Sequence, residues 1–133
     1  MMAAACMGAT AFQKGLGAVH ALSHPIGAVY NTHHGTTNAV CIPAVLRFNR
    51  AEIEPRIEAA AAYMGIKGGF DGFLAFVETL NAKLGIPKRL GEMGVGTDRI
   101  DELTAMALED PSVGGNPVKM TPENTRALFL KCI

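Results

Sequence analysis

Asp71-Gly72-Phe73-Leu74-Ala75-Phe76-Val77-Glu78-Thr79-Leu80-Asn81-Ala82-Lys83-Leu84 decides the fold class of this 133-residue chain. Phe73, Leu74, Phe76, Val77, Leu80 and Leu84 recur at spacings of three and four, which gathers them on one wide face of an α-helix. A strand would show period-two alternation instead, and no stretch of the chain shows it convincingly. Gly68-Gly69 reads as the turn before this helix and Asp71 as its cap. Phe70, Phe73 and Phe76 read as core.

Upstream, Glu52–Met64 reads as a helix closed by Gly65. Its Glu52, Glu54 and Glu58 sit among Arg50 and Arg56, the pattern of a solvated face. A helix over Thr36–Phe48 precedes it, with Pro43 expected to bend or restart it. Tyr30–Gly35 reads as a loop, and Ala18–Leu22 as a short helical stretch closed by Ser23–Gly27 with Pro25 inside. Met1–Phe12 is rich in Ala and Met and apolar on every side, so it is expected to be a helix buried all round, ended by Gly15 and Gly17. Downstream, Gly85, Pro87 and Gly91 to Gly96 mark a long connection. Asp98–Asp110 is the next helix, with Ile100, Leu103 and Ala107 on one side and Glu102, Glu109 and Asp110 on a solvated face. Pro111 and Gly114 to Pro117 stop it. Thr121-Pro122-Glu123 is a start signal: Thr caps, Pro takes the first turn and Glu meets the positive end of the dipole. The chain reads as all-α, one multi-helix domain over 1–133. Gly15-Leu16-Gly17 follows no strand and is not a dinucleotide fingerprint.

Twelve Lys+Arg balance twelve Asp+Glu, so no basic arm for nucleic acid and no acidic disordered tail is present. Apolar residues make up 49% and charged residues 18%, which predicts apolar surface covered by another domain or by self-association. Residues 1–46 carry one full charge, Lys14, and the first carboxylate is Glu52. Gly, Pro, Asn and His interrupt that stretch, so no bilayer span of about 20 apolar residues forms, and no positively charged leader opens the chain. Cys6, Cys41 and Cys132 are odd in number and widely spaced, the pattern of buried, reduced thiols in cytoplasm.

All four histidines, His20, His24, His33 and His34, fall within fifteen residues. His20 and His24 are four apart, on one face of a helix, and His34 follows a Pro/Gly turn able to fold the chain back. Neutral imidazoles ligate first-row divalent metals well, so convergence of three on one ion is one reading. Satisfied core and solvated loop histidines are the other, and the missing carboxylate would have to come from elsewhere.

Lys14-Gly15-Leu16-Gly17-Ala18-Val19-His20-Ala21-Leu22-Ser23-His24-Pro25-Ile26-Gly27-Ala28 closely resembles the signature of iron-containing (group III) alcohol dehydrogenases. The likeness continues through His34-Gly35-Thr36-Thr37-Asn38-Ala39-Val40 and Pro43 to Arg47-Phe48-Asn49, and returns at Gly114-Gly115-Asn116-Pro117. The resemblance implies the C-terminal helical domain of a two-domain enzyme whose N-terminal α/β domain binds NAD or NADP. The metal in that family is Fe(II), or Zn(II) as the alternative, held by one Asp and three His. The resemblance maps His20 and His34 onto the last two histidine ligands and His24 onto the active-site histidine near nicotinamide and substrate. It places Phe12 and Lys14 near the cleft, and His33 stands where the pattern has Pro.

The family's dinucleotide domain, the ligand Asp and the first ligand His have no counterpart in these residues. The expectation is therefore a C-terminal portion of an enzyme that moves hydride between a small alcohol or aldehyde and NAD(P), inactive as an isolated chain. Two alternatives stand beside it: a glycerol dehydrogenase-like relative, and a stand-alone helical module for binding or self-assembly.

Overall fold

The computed structural model describes Met1–Ile133 and contains helices and no strand. Six α-helices follow in order: α1 Met2–Ala11, α2 Ala18–Tyr30, α3 His34–Tyr63, α4 Gly69–Lys83, α5 Ile100–Glu109 and α6 Pro122–Cys132. Short 3-10 turns lie at Phe12–Lys14, Leu90–Met93 and Pro111–Gly115. None of the helices is long and apolar enough to cross a membrane.

One core joins α2, α3, α5 and α6. Ala21, Leu22 and Ile26 of α2 meet Val40, Cys41 and Val45 of α3, Leu103 and Ala107 of α5, and Leu128 and Phe129 of α6. α4 packs beside α3, and Phe70 and Leu74 of α4 and Ala61 of α3 are buried. An ionic clasp covers that seam. Arg50 of α3 bonds Glu54 and Asp71, and its guanidinium lies 4.6 Å from the centre of the Phe70 ring. Asp71 is therefore a clasp residue in the first turn of α4; the N-cap is Gly68, in the left-handed region. Thr121 caps α6 as expected, and Asn124 at the third position closes a capping box with it.

The prolines do not break the helices as expected. α2 runs on through Pro25 to Tyr30, and α3 passes through both Pro43 and Pro55 to merge two expected helices into one of 30 residues. Tertiary contacts account for this. Pro25 lies on the buried side of α2, between Leu22 and Ile26, and core burial outweighs the lost backbone bond. Pro43 has no N–H for the Ala39 carbonyl, and Asn81 of α4 donates to that oxygen at 2.8 Å instead.

Three burial expectations change as well. No residue of α1 is buried, because no other element of the chain packs along it. Cys6, on that helix, is consequently exposed, whereas Cys41 and Cys132 are buried. Phe70 is core, but Phe73 is half-buried and Phe76 exposed, since α4 offers only one narrow side to α3.

Candidate metal centre

The histidines meet because α2 stops and α3 starts within a few residues. Asn31 ends α2 in the left-handed conformation, φ 52 and ψ 40, which a short polar side chain tolerates well. His33 then caps α3: its Nδ1 accepts the Thr36 N–H at 3.2 Å. This turn lays the start of α3 against α2, so only Asn31–His33 of the expected Tyr30–Gly35 loop is non-helical.

His20 and His24 share a face of α2, and His34 is the first residue of α3. Their ring centres form a near-equilateral triangle: 5.5 Å from His20 to His24, 5.2 Å from His20 to His34 and 5.4 Å from His24 to His34. Phe12 stands edge-on to His20 at 5.5 Å. His33 engages its Nδ1 in the capping bond to Thr36. Lys14 closes the Phe12–Lys14 turn and is exposed.

Asn38 lies between two of the rings. Its Nδ2 is 3.3 Å from His20 Nε2 and 3.0 Å from His34 Nε2, while its buried Oδ1 has no partner. His20 Nε2 and His34 Nε2 thus approach one point in space, and with both rings protonated on Nδ1 their lone pairs face it as a divalent cation requires of a histidine pair. No group of three His, Cys, Asp or Glu side chains in the chain is arranged to hold a metal. His20 and His34 supply two imidazole donors, a set that could hold a metal only with further ligands. Burial, followed by the neighbouring His34 and His24, pushes the His20 pKa below its ordinary value, the direction that favours the neutral ring.

His24 makes a different contact. Its Nδ1 is 2.7 Å from Asp110 Oδ2, a carboxylate just beyond the end of α5. Asp110 was expected on a solvated face, but α5 packs against α2 and its end brings the carboxylate to the histidine. Burial pushes the Asp110 pKa up, yet hydrogen bonds from Ser112 and His24 outweigh it and hold the carboxyl below its ordinary range.

A cleft of about 500 Å³ opens beside His20, lined also by Leu16, Asn38, Ile42, Asn49 and Asn116. Asn116 Oδ1 accepts the Ala18 N–H at 3.1 Å and so caps the histidine-bearing helix.

All of residues 1–133 match the Fe-containing alcohol dehydrogenase family, C-terminal. The chain belongs to the iron-containing alcohol dehydrogenase family. It is 41% identical to 4-hydroxybutyrate dehydrogenase of Cupriavidus necator, over 97% of this chain and 36% of that protein. It is 37% identical to lactaldehyde reductase of Escherichia coli (strain K12), over 86% of the chain and 32% of that protein. A solved 1,3-propanediol oxidoreductase superposes with a TM-score of 0.83 at 31% identity, over 89% of this chain and 33% of that one. The chain thus spans about a third of the length of the iron-type dehydrogenases it matches, and its fold is that of their C-terminal helical domain.

Proposed function

We propose that this chain is the C-terminal, metal-holding domain of an NAD(P)-dependent dehydrogenase that interconverts small alcohols and aldehydes. The observation that carries the reading is the approach of His20 Nε2 and His34 Nε2 to one point beside Asn38. On this reading the nucleotide-binding domain, a ligand Asp and a further ligand His lie outside the 133 residues. The curated relatives include a 4-hydroxybutyrate dehydrogenase and a lactaldehyde reductase, which supports a short hydroxylated substrate.

His20 and His34 would hold the iron, or zinc in its place; when bound, it supplies Lewis-acid polarisation of the alcohol oxygen, and the nicotinamide supplies the hydride acceptor. His20 serves best as the neutral ring that its burial favours. His24 stands beside both rings with 41% of its side chain exposed, and on this reading it passes the alcohol proton to solvent.

The test is metal content. In the complete enzyme, His20→Ala and His34→Ala are each expected to lower bound iron at least about tenfold and to remove NAD(P)-linked alcohol oxidation. Unchanged metal in both variants overturns the reading. A second reading, a self-assembling helical module, draws on α1, whose Met2 and Met7 are 90% and 73% exposed. Concentration-dependent association abolished by polar substitutions at those methionines, with no metal bound by the parent, would favour it.

A further inference from the structure

We propose that Asp110 is the positioning residue for His24. It holds that ring in its Nδ1–H form and leaves Nε2 bare for proton transfer. The role of Nε2 rests on the dehydrogenase reading above, whereas the tautomer itself does not.

The argument begins at the carboxylate. Asp110 Oδ2 lies 2.7 Å from His24 Nδ1, with 11% of the Asp110 side chain exposed. An ionised carboxylate only accepts hydrogen bonds, so the ring nitrogen facing it must donate. A neutral imidazole carries one N–H. If that N–H is on Nδ1, Nε2 has a free lone pair.

The carboxylate cannot easily turn away. Its other oxygen, Oδ1, accepts the Ser112 N–H at 2.7 Å, the capping bond that starts the Pro111–Gly115 turn. The Asp110 backbone is extended, φ −68 and ψ 131, as the proline that follows requires. On the other side, His24 is flanked by the His34 ring, nearly parallel to it at 16°. One carboxylate oxygen is thus committed to the turn and the other to His24. In alcohol oxidation, the substrate O–H bond breaks and an N–H bond forms at His24 Nε2. The ring becomes an imidazolium, and its Nδ1–H bond to the still-ionised Asp110 strengthens. The proton then leaves Nε2 for water, restoring the neutral ring. The same division of labour orients the histidine of hydrolytic triads.

The pair also joins α2 to α5, and a partly exposed polar contact of that kind usually adds only modest stability. Stability alone therefore does not separate positioning from a plain tether, but the tautomer does. The chain with ¹⁵N-labelled histidines, at a pH where all rings are neutral, is expected to show His24 with a protonated Nδ1 and a bare Nε2. Asp110→Asn is the decisive variant. Ser112 N–H claims the amide oxygen, so the NH₂ group faces His24 and the ring should invert to its Nε2–H form. Asp110→Glu, if its longer side chain regains the contact, restores the parent signature. A parent protein with Nε2–H, or an Asn variant with the parent tautomer, overturns the assignment. The parent spectrum needs no variant to fold. If the tautomer behaves as expected while His20→Ala and His34→Ala keep their metal, the dehydrogenase reading fails and the Asp110 assignment stands. If the metal is lost but the parent ring is Nε2–H, the reverse holds.

Discussion

Asn81 donates its side-chain amide at 2.8 Å to the Ala39 carbonyl, the oxygen that Pro43 leaves without its helical donor. A residue of α4 thereby repairs α3 from outside, 42 positions away in sequence. Removing the amide by Asn81→Ala leaves a part-buried carbonyl unpaired and should cost about 1–2 kcal/mol. In a Pro43→Ala background the new N–H takes over the carbonyl, so the same Asn81 substitution should cost clearly less. A double-mutant cycle by urea unfolding measures the difference. Equal costs in both backgrounds would show that Asn81 does something other than repair the helix.

Asn116 and Asn49 exchange amide bonds in both directions at 2.8 Å, and Asn116 also takes the Ala18 N–H and donates to the Val118 carbonyl. Asn116→Ala strips the cap from α2 and removes both bonds that the buried Asn49 exchanges with it, leaving the Asn49 amide N–H groups unpaired, for an expected loss of about 2–4 kcal/mol. Because the two residues share bonds, the Asn49→Ala/Asn116→Ala double variant should lose less than the sum of the single losses. Chemical denaturation of the four proteins tests this, and strict additivity would contradict the exchange.

Asn81 and Asn38 show where the sequence could and could not be read. The α4 helix, the α6 start at Thr121 and the shared face of His20 and His24 follow from local periodicity and capping chemistry, and all three are present. Helix continuity through Pro25, Pro43 and Pro55 does not follow from local rules, because it depends on tertiary burial and on a remote donor such as Asn81. Asp110 looked like one more acid at a helix end. Its partner lies 86 residues away, and no spacing rule links them. Asn38 was visible only as part of a motif. Its place between His20 and His34 needed the close approach of α2 and α3. The apolar character of α1 was legible, but burial requires a neighbouring surface, and this chain offers none.

His33 is the cap of α3 and His34 its first residue, so two adjacent histidines have separable effects. His33→Ala removes the acceptor for the Thr36 N–H and should cost about 1 kcal/mol of stability. Metal content of the complete enzyme should not change. His34→Ala should show the opposite pattern, with metal lost and the cap intact. Thermal melts paired with metal analysis decide the matter, and loss of metal in His33→Ala would place that residue at the site after all.

Asp110 makes stability fall in acid. Its folded pKa lies below its ordinary value of 3.8, so the unfolded chain takes up the proton first as pH drops. The contribution is complete above the unfolded value and is lost as pH falls through the folded one. Asp110→Asn removes this ionisation, so its stability curve should be flatter than the parent's below about pH 4. Unfolding free energies between about pH 2 and 7 give the comparison. Parallel acid limbs would mean that the carboxylate is not held in its ionised form by Ser112 and His24.

Two glycines should respond to alanine in opposite directions. A Cβ on Gly115 would overlap the carbonyl oxygen of Leu16, which is backbone and cannot swing aside. Leu16 belongs to the segment that leads into α2, so relieving the overlap must move either the turn holding Asn116 or the start of the histidine helix. Gly115→Ala should therefore lose at least about 2 kcal/mol. Its damage should extend to the site, because Ala18 and His20 lie directly beyond the displaced segment. Gly27 lies inside α2, and a Cβ there meets nothing within 4 Å. Gly27→Ala should stabilise the helix by about 0.5–1 kcal/mol, through the reduced freedom of the unfolded chain. Melting temperatures of the two variants should therefore move apart on either side of the parent. A neutral Gly115→Ala would mean that the close approach of the Gly114–Gly115 turn to Leu16 does not set the position of α2.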